Sequence, residues 1–180
     1  MKKIFISSFN EEKNIHFSNT LNEKSICRTI SNHVNDLLLN YGLDSKQSLH
    51  SIYLQDKIYA SNLWKSDLYL SINLSKLADN SNIPQNNKCN VKFKLYSTSF
   101  TDKEVSNFIK KELINVALTE NENPEDIKIL YELFATDMES IYLDIQLNET
   151  KEDIIWLKNN LNNISNAIVN GICKAYGLII

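Results

Sequence analysis

Glycine, proline, cysteine and histidine are all scarce in this chain, with three, two, three and three copies in 180 residues. So few glycines leave little backbone able to close tightly round a substrate, and no phosphate-binding glycine loop occurs. The cysteines Cys27, Cys89 and Cys173 are odd in number, widely spaced and without a CxxC pair. That excludes a disulfide scaffold and points to reduced thiols. The HExxH helix and the GxSxG elbow are absent as well. No stretch approaches the ~20 apolar residues of a membrane-spanning helix, so no membrane insertion is expected. A formal charge of -3 and a pI near 5.6 leave no footprint for nucleic acid.

What remains is an ordinary globular composition, 43% hydrophobic and 23% charged, long enough for one domain over residues 1–180 with a substantial core. The apolar period switches between two and 3.6 along the chain. Strands are expected at residues 3–7, 51–54, 67–73, 91–96, 127–134 and 141–147. Between them, Ile26, Ile30, Val34, Leu37, Leu38 and Tyr41 fall at helical spacing, and Gly42 supplies a stop. A short helix is expected over 56–65. Thr101 and Glu104 form a capping-box signature before Val105, Ile109 and Leu113. Thr150 caps a long final helix carrying Ile154, Leu157, Leu161, Ile164, Ile168 and Ile172. Residues 76–90 are polar, Asn-rich and hold Pro84, which reads as a loop. The expected fold class is α/β: a single domain with a mostly parallel or mixed central sheet of about six strands, flanked by helices on both faces.

The most informative run is Ser66-Asp67-Leu68-Tyr69-Leu70-Ser71-Ile72-Asn73, an apolar strand closing on a polar residue. It resembles the strand ending in Ser-Ile-His of the zinc-dependent N-acetylmuramoyl-L-alanine amidases, the type 3 family that cleaves peptidoglycan. Two further segments are similar to that family. Lys3 to Ser7 and Asn22-Glu23-Lys24 match its first strand and the start of its first helix. Tyr142 to Asn148, with Lys151-Glu152-Asp153 and Asn170-Gly171, looks like the C-terminus of its clostridial or phage endolysin and autolysin members. The order and spacing of the three cover nearly the whole chain.

The resemblance implies a zinc site made by two His and one Glu, with a catalytic Glu on the last strand. Such a site holds three protein ligands and leaves one position open for an activated water. Here Glu23 falls on the ligand Glu. Phe9 or Asn10 stands where the first His belongs, Asn73 replaces the second, and Asp144 takes the place of the catalytic Glu. Asp144 is one methylene shorter, and a misplacement of about 1 Å can cost about 100-fold in rate. Glu23 also has a structural reading, as an acidic residue in a helix first turn worth roughly 0.3–1 kcal/mol. Asp144 likewise reads as a strand-end carboxylate accepting backbone hydrogen bonds.

The function expected from this pattern is a pseudoenzyme: an amidase-like, cell-wall protein whose zinc site is lost, needing no cofactor, acting as a binding or regulatory module or a decayed lysin. Its partners would be peptidoglycan or another protein. The alternative is an active amidase with a non-standard Zn2+ site, rebuilt from Glu23 with His16 and Cys27. Met1-Lys2-Lys3 followed by a short apolar run is too brief for a signal peptide. Synthesis in the cytoplasm is expected, with access to the wall only after lysis, holin action or non-classical export.

Overall fold

The computed structural model describes residues 1–8, 23–48, 53–77, 91–98, 104–121, 127–148 and 150–179. Six strands form one mixed sheet: β1 (Lys3–Ser8), β2 (Asp44–Gln47), β3 (Leu68–Lys76), β4 (Val91–Ser97), β5 (Leu118–Asn121) and β6 (Glu139–Leu147), in the order β2-β1-β3-β6-β4-β5. β2, β1, β3 and β6 run parallel, β4 is antiparallel to β6, and β5 is parallel to β4. The helices are α1 (Glu23–Asn40), α2 (Leu54–Trp64), α3 (Val105–Leu113), α4 (Ile127–Phe134) and α5 (Lys151–Ala175).

Strand alternation divides the side chains between two layers. Leu68, Leu70, Ile72 and Leu74 of β3 point into the main core, where Ile30 and Val34 of α1, Ile109 of α3 and Ile168 of α5 meet them. Tyr69, Ser71, Asn73 and Ser75 point the other way. That second face is covered by α2 and α4, and its apolar clusters are small: Phe5, Ile58 and Tyr69 in one, Tyr96, Leu133 and Tyr142 in another. The space between holds polar groups. The α/β class, the single domain and the six-stranded sheet agree with the sequence-based expectation, although two strands are not the ones expected.

Residues 127–134 are helix α4, not a strand. Ile129, Glu132 and Leu133 form its inward side at helical spacing, and Glu132 and Leu133 are fully buried. A carboxylate at a core-facing position disguises the helical period and leaves an apparent alternation. Of the expected strand at 51–54, Ser51 and Ile52 lie outside the described residues, and Leu54 already belongs to α2. The strands actually present are the edges β2 and β5, Asp-Ser-Lys-Gln and Leu-Thr-Glu-Asn, too polar for a hydrophobic pattern to detect. β3 also continues past Asn73 to Lys76, so Asn73 stands within a paired strand.

Caps follow the sequence unevenly. Thr150 Oγ1 accepts from Asp153 N at 3.2 Å, and Gly42 takes φ +78° after α1, where Leu43 N donates to Leu38 O. At α3 the N-cap is Glu104, whose own side chain makes no cap bond; Thr101 lies outside the described residues. Glu139 of β6 does the work instead, accepting from Val105 N at 3.1 Å.

α3 and α5 approach most tightly at Gly171. A Cβ there would stand 2.5 Å from the Ile109 Cα. Alanine is otherwise the better helix former by about 1 kcal/mol, so the two effects oppose each other. Gly171→Ala is expected to lower stability by about 1–3 kcal/mol, read as a lower urea midpoint. A raised midpoint would show that α3 yields freely.

Candidate functional site

Register carries the site. Asn73 of β3 lies opposite Asp144 of β6, and Asp144 lies opposite Lys94 of β4. All three project towards the α2/α4 face, near the carboxyl end of the parallel strands. Asn73 Nδ2 donates to Asp144 Oδ1 at 2.8 Å, while Ser75 Oγ and Gln146 Nε2 donate to Asp144 Oδ2 at 2.8 and 2.7 Å. The carboxylate thus receives three side-chain hydrogen bonds, where the sequence suggested backbone donors. Burial pushes the Asp144 carboxyl above the usual carboxylate range, while the bonds from Ser75, Gln146 and Asn73 and the Lys94 charge offset part of that rise. The Asn73 amide is left half satisfied: its Oδ1 is buried and accepts no hydrogen bond.

Glu23 occupies the first turn of α1, and Cys27 follows one turn later with no exposure to solvent. Burial pushes the Cys27 thiol far up, and the Glu23 and Asp144 charges add to this. Cys27 packs in the main core, whereas Asp144 projects to the other face of the sheet, so the two carboxylates act on the thiol only through their charge. The chain leaves β1 towards β2 on one side, while β3 flanks β1 on the other, a switch point where open α/β sheets form their clefts. His33 lies away from this edge, in a groove between α1 and α5. Phe9, Asn10, His16, His50 and Cys89 lie outside the described residues. Among the described residues, no three His, Cys, Asp or Glu side chains are grouped to hold a metal ion.

Beneath this edge lies a buried polar group that the sequence did not reveal. Tyr69 Oη donates to Glu132 Oε1 at 2.8 Å, and Lys57 Nζ donates to the Ser8 carbonyl, the last of β1, at 2.6 Å. Burial raises the Glu132 carboxyl and lowers the Lys57 ammonium, and their opposite charges partly counter both shifts. A lysine and a glutamate inside short helices carry no signal of their own in sequence. Only the buried tyrosine between them, in an apolar strand, hints at a polar partner.

No protein-family model and no curated protein matches this sequence. Solved structures do match its backbone. The catalytic domain of CwlV, an N-acetylmuramoyl-L-alanine amidase from Bacillus (Paenibacillus) polymyxa var. colistinus, aligns with a TM-score of 0.77 at 14% identity, covering 99% of this chain and 100% of that one. The catalytic domain of the CD27L endolysin, which targets Clostridia difficile, gives 0.71 at 16%, covering 97% and 98%. The CwlD amidase from Clostridioides difficile, in complex with the GerS lipoprotein, gives 0.69 at 18%, covering 99% and 100%. This chain has the amidase fold. Likeness at such identities is a likeness of backbone.

A carboxyl whose pKa is raised by folding holds its proton more tightly in the native state than in the unfolded chain. Its contribution to stability therefore falls as pH rises from the ordinary carboxylate range through the raised pKa. Asp144→Ala leaves three donors unmatched and is expected to cost about 1–3 kcal/mol. Urea unfolding of both proteins between about pH 4 and pH 8 should show the wild-type advantage shrinking as pH rises. A widening gap would mean that Asp144 ionises more easily folded than unfolded.

Proposed function

We propose that this amidase-fold chain is a cell-wall protein that does not hydrolyse peptidoglycan through zinc and serves instead as a binding or regulatory module. The observation that carries this reading is the Asn73–Asp144 hydrogen bond. A zinc ligand must offer a lone pair to the metal. Of the Asn73 amide only Oδ1 could do so, a neutral carbonyl oxygen where the resemblance implies an imidazole, because Nδ2 is committed to Asp144, and both Asp144 oxygens already accept from neutral side chains. This donor set does not fit the metal site that the family resemblance implies.

Cys27 gives little support to a rebuilt site, because it is fully buried among the apolar side chains of the main core, where a thiol packs as a small hydrophobe. Glu23 alone supplies one carboxylate, at a helix start where an acidic residue is favourable without a metal. For the binding role, the support is Asn73 Oδ1, a buried acceptor without a donor. Leaving such a group unmatched costs about 1–3 kcal/mol, a cost that a bound N–H or O–H would recover. The ligand would be peptidoglycan or a protein. A protein partner has a precedent in the fold, since the CwlD amidase is seen in complex with a lipoprotein.

Two measurements on the purified protein test the reading together: zinc content by mass spectrometry, and release of L-alanine-linked peptides from muropeptides. The expected result is no stoichiometric zinc and no cleavage, with retention on sedimented cell walls or capture of a partner that Asn73→Ala weakens. Stoichiometric zinc that disappears in Glu23→Ala, or measurable cleavage, would restore the enzyme.

A further inference from the structure

The outer side of α5 carries Asn160, Asn163, Asn166 and Asn170, spaced three, three and four residues apart and so aligned along one stripe. Asparagine is a poor helix former, so helix stability does not account for the stripe. It borders a groove of about 300 Å³ against α3 and the turn after it, to which Asn115 adds a fifth amide and Val116 and Ala167 the apolar surface. This groove lies on the α1/α3/α5 side of the sheet, opposite Asn73 and Asp144.

The amides are partly fixed. Asn160 Nδ2 donates to Trp156 O at 2.8 Å, Asn163 Nδ2 to Asn160 Oδ1 at 2.9 Å, and Asn115 Nδ2 to Lys111 O at 3.3 Å. Those bonds aim the side chains while leaving the Asn115 and Asn163 carbonyl oxygens as acceptors. Among the described residues, no side-chain hydrogen bond engages Asn166 or Asn170. The two walls are in close contact, because Gly171 sets α5 directly against the Ile109 backbone. Glu112 accepts from Lys174 Nζ at 3.1 Å, and among the described residues that line the groove none is a cation that would take a phosphate.

We infer that the groove between α3 and α5 is a second binding site, and that it takes a neutral saccharide. An amide presents one acceptor and two donors within a few ångströms, which matches the paired hydroxyls of a pyranose ring. The small apolar area of Val116 and Ala167 suits the C–H face of a sugar. An extended peptide would seek a sheet edge or pockets for alternate side chains, and this groove has neither. A preformed groove of this kind spends little on ordering itself.

The side-chain NH2 groups of asparagine are visible in 15N–1H correlation spectra, so the intact protein reports directly. Titration with maltotetraose or chitotetraose up to about 10 mM should give saturable shifts at Asn166 and Asn170. The double variant Asn166→Ala/Asn170→Ala, in which alanine favours the helix, should bind at least about tenfold more weakly. Its circular dichroism should match the parent and its melting temperature should equal or exceed the parent's. Asn73→Ala should leave this binding unchanged, which separates the groove from the site at the sheet edge. No saturable shift with either sugar, equal affinity in the double variant, or tighter binding of tetra-alanine at the same residues would overturn the assignment.

Discussion

The parallel pairing of β3 with β6 is the constraint on which the rest of the molecule depends. Nine consecutive residue pairs, from Leu68 with Glu139 to Lys76 with Leu147, lock the two strands in one register. Their odd and even positions then sort into two chemically different layers. On one side lies a continuous apolar core shared by three helices. On the other, the same register stacks Tyr69, Ser71, Asn73 and Ser75 beside Ser140, Tyr142, Asp144 and Gln146. A slip of one residue would bury the polar set against α1 and α5 and expose the leucines. The hydrophobic layer thus fixes the geometry of the polar one.

That division explains what a neutral amide does to this fold. Asn73 reaches across the strand gap and joins the carboxylate of Asp144. The bond links the two central strands at their carboxyl ends. Lys57 makes a second link by holding the last carbonyl of β1 from α2. Side chains therefore tie β1, β3 and β6 together near this end of the sheet.

Much of this was legible in the sequence, for particular reasons. β3 and β6 are long, apolar and centrally placed, so their pattern is strong, and Asn73 and Asp144 stand out within them. α1 and α5 announce themselves by period, by Gly42 and by Thr150. The failures have a common cause, which is polarity where pattern reading expects none, or apolarity where polarity decides. Glu132 on the inner side of α4 broke the helical period and suggested a strand. The Lys57–Ser8 and Tyr69–Glu132 bonds depend on helices meeting across a sheet, and no local spacing encodes that meeting. α3 takes its cap from Glu139, 34 residues away.

The edge strands carry a further consequence. Among the described residues, β2 and β5 pair with a strand on one side only, and each presents a row of backbone donors and acceptors on the other. Such rows recruit strands from neighbouring molecules unless something discourages them. In β2 the discouragement is Asp44, Lys46 and Gln47; in β5 it is Glu120, to which Lys92 of the adjacent strand is paired. The residues that made these strands invisible to a hydrophobic pattern are also the guard against edge-to-edge aggregation. Valines in their place would have made both strands easy to find and the chain prone to grow into fibres.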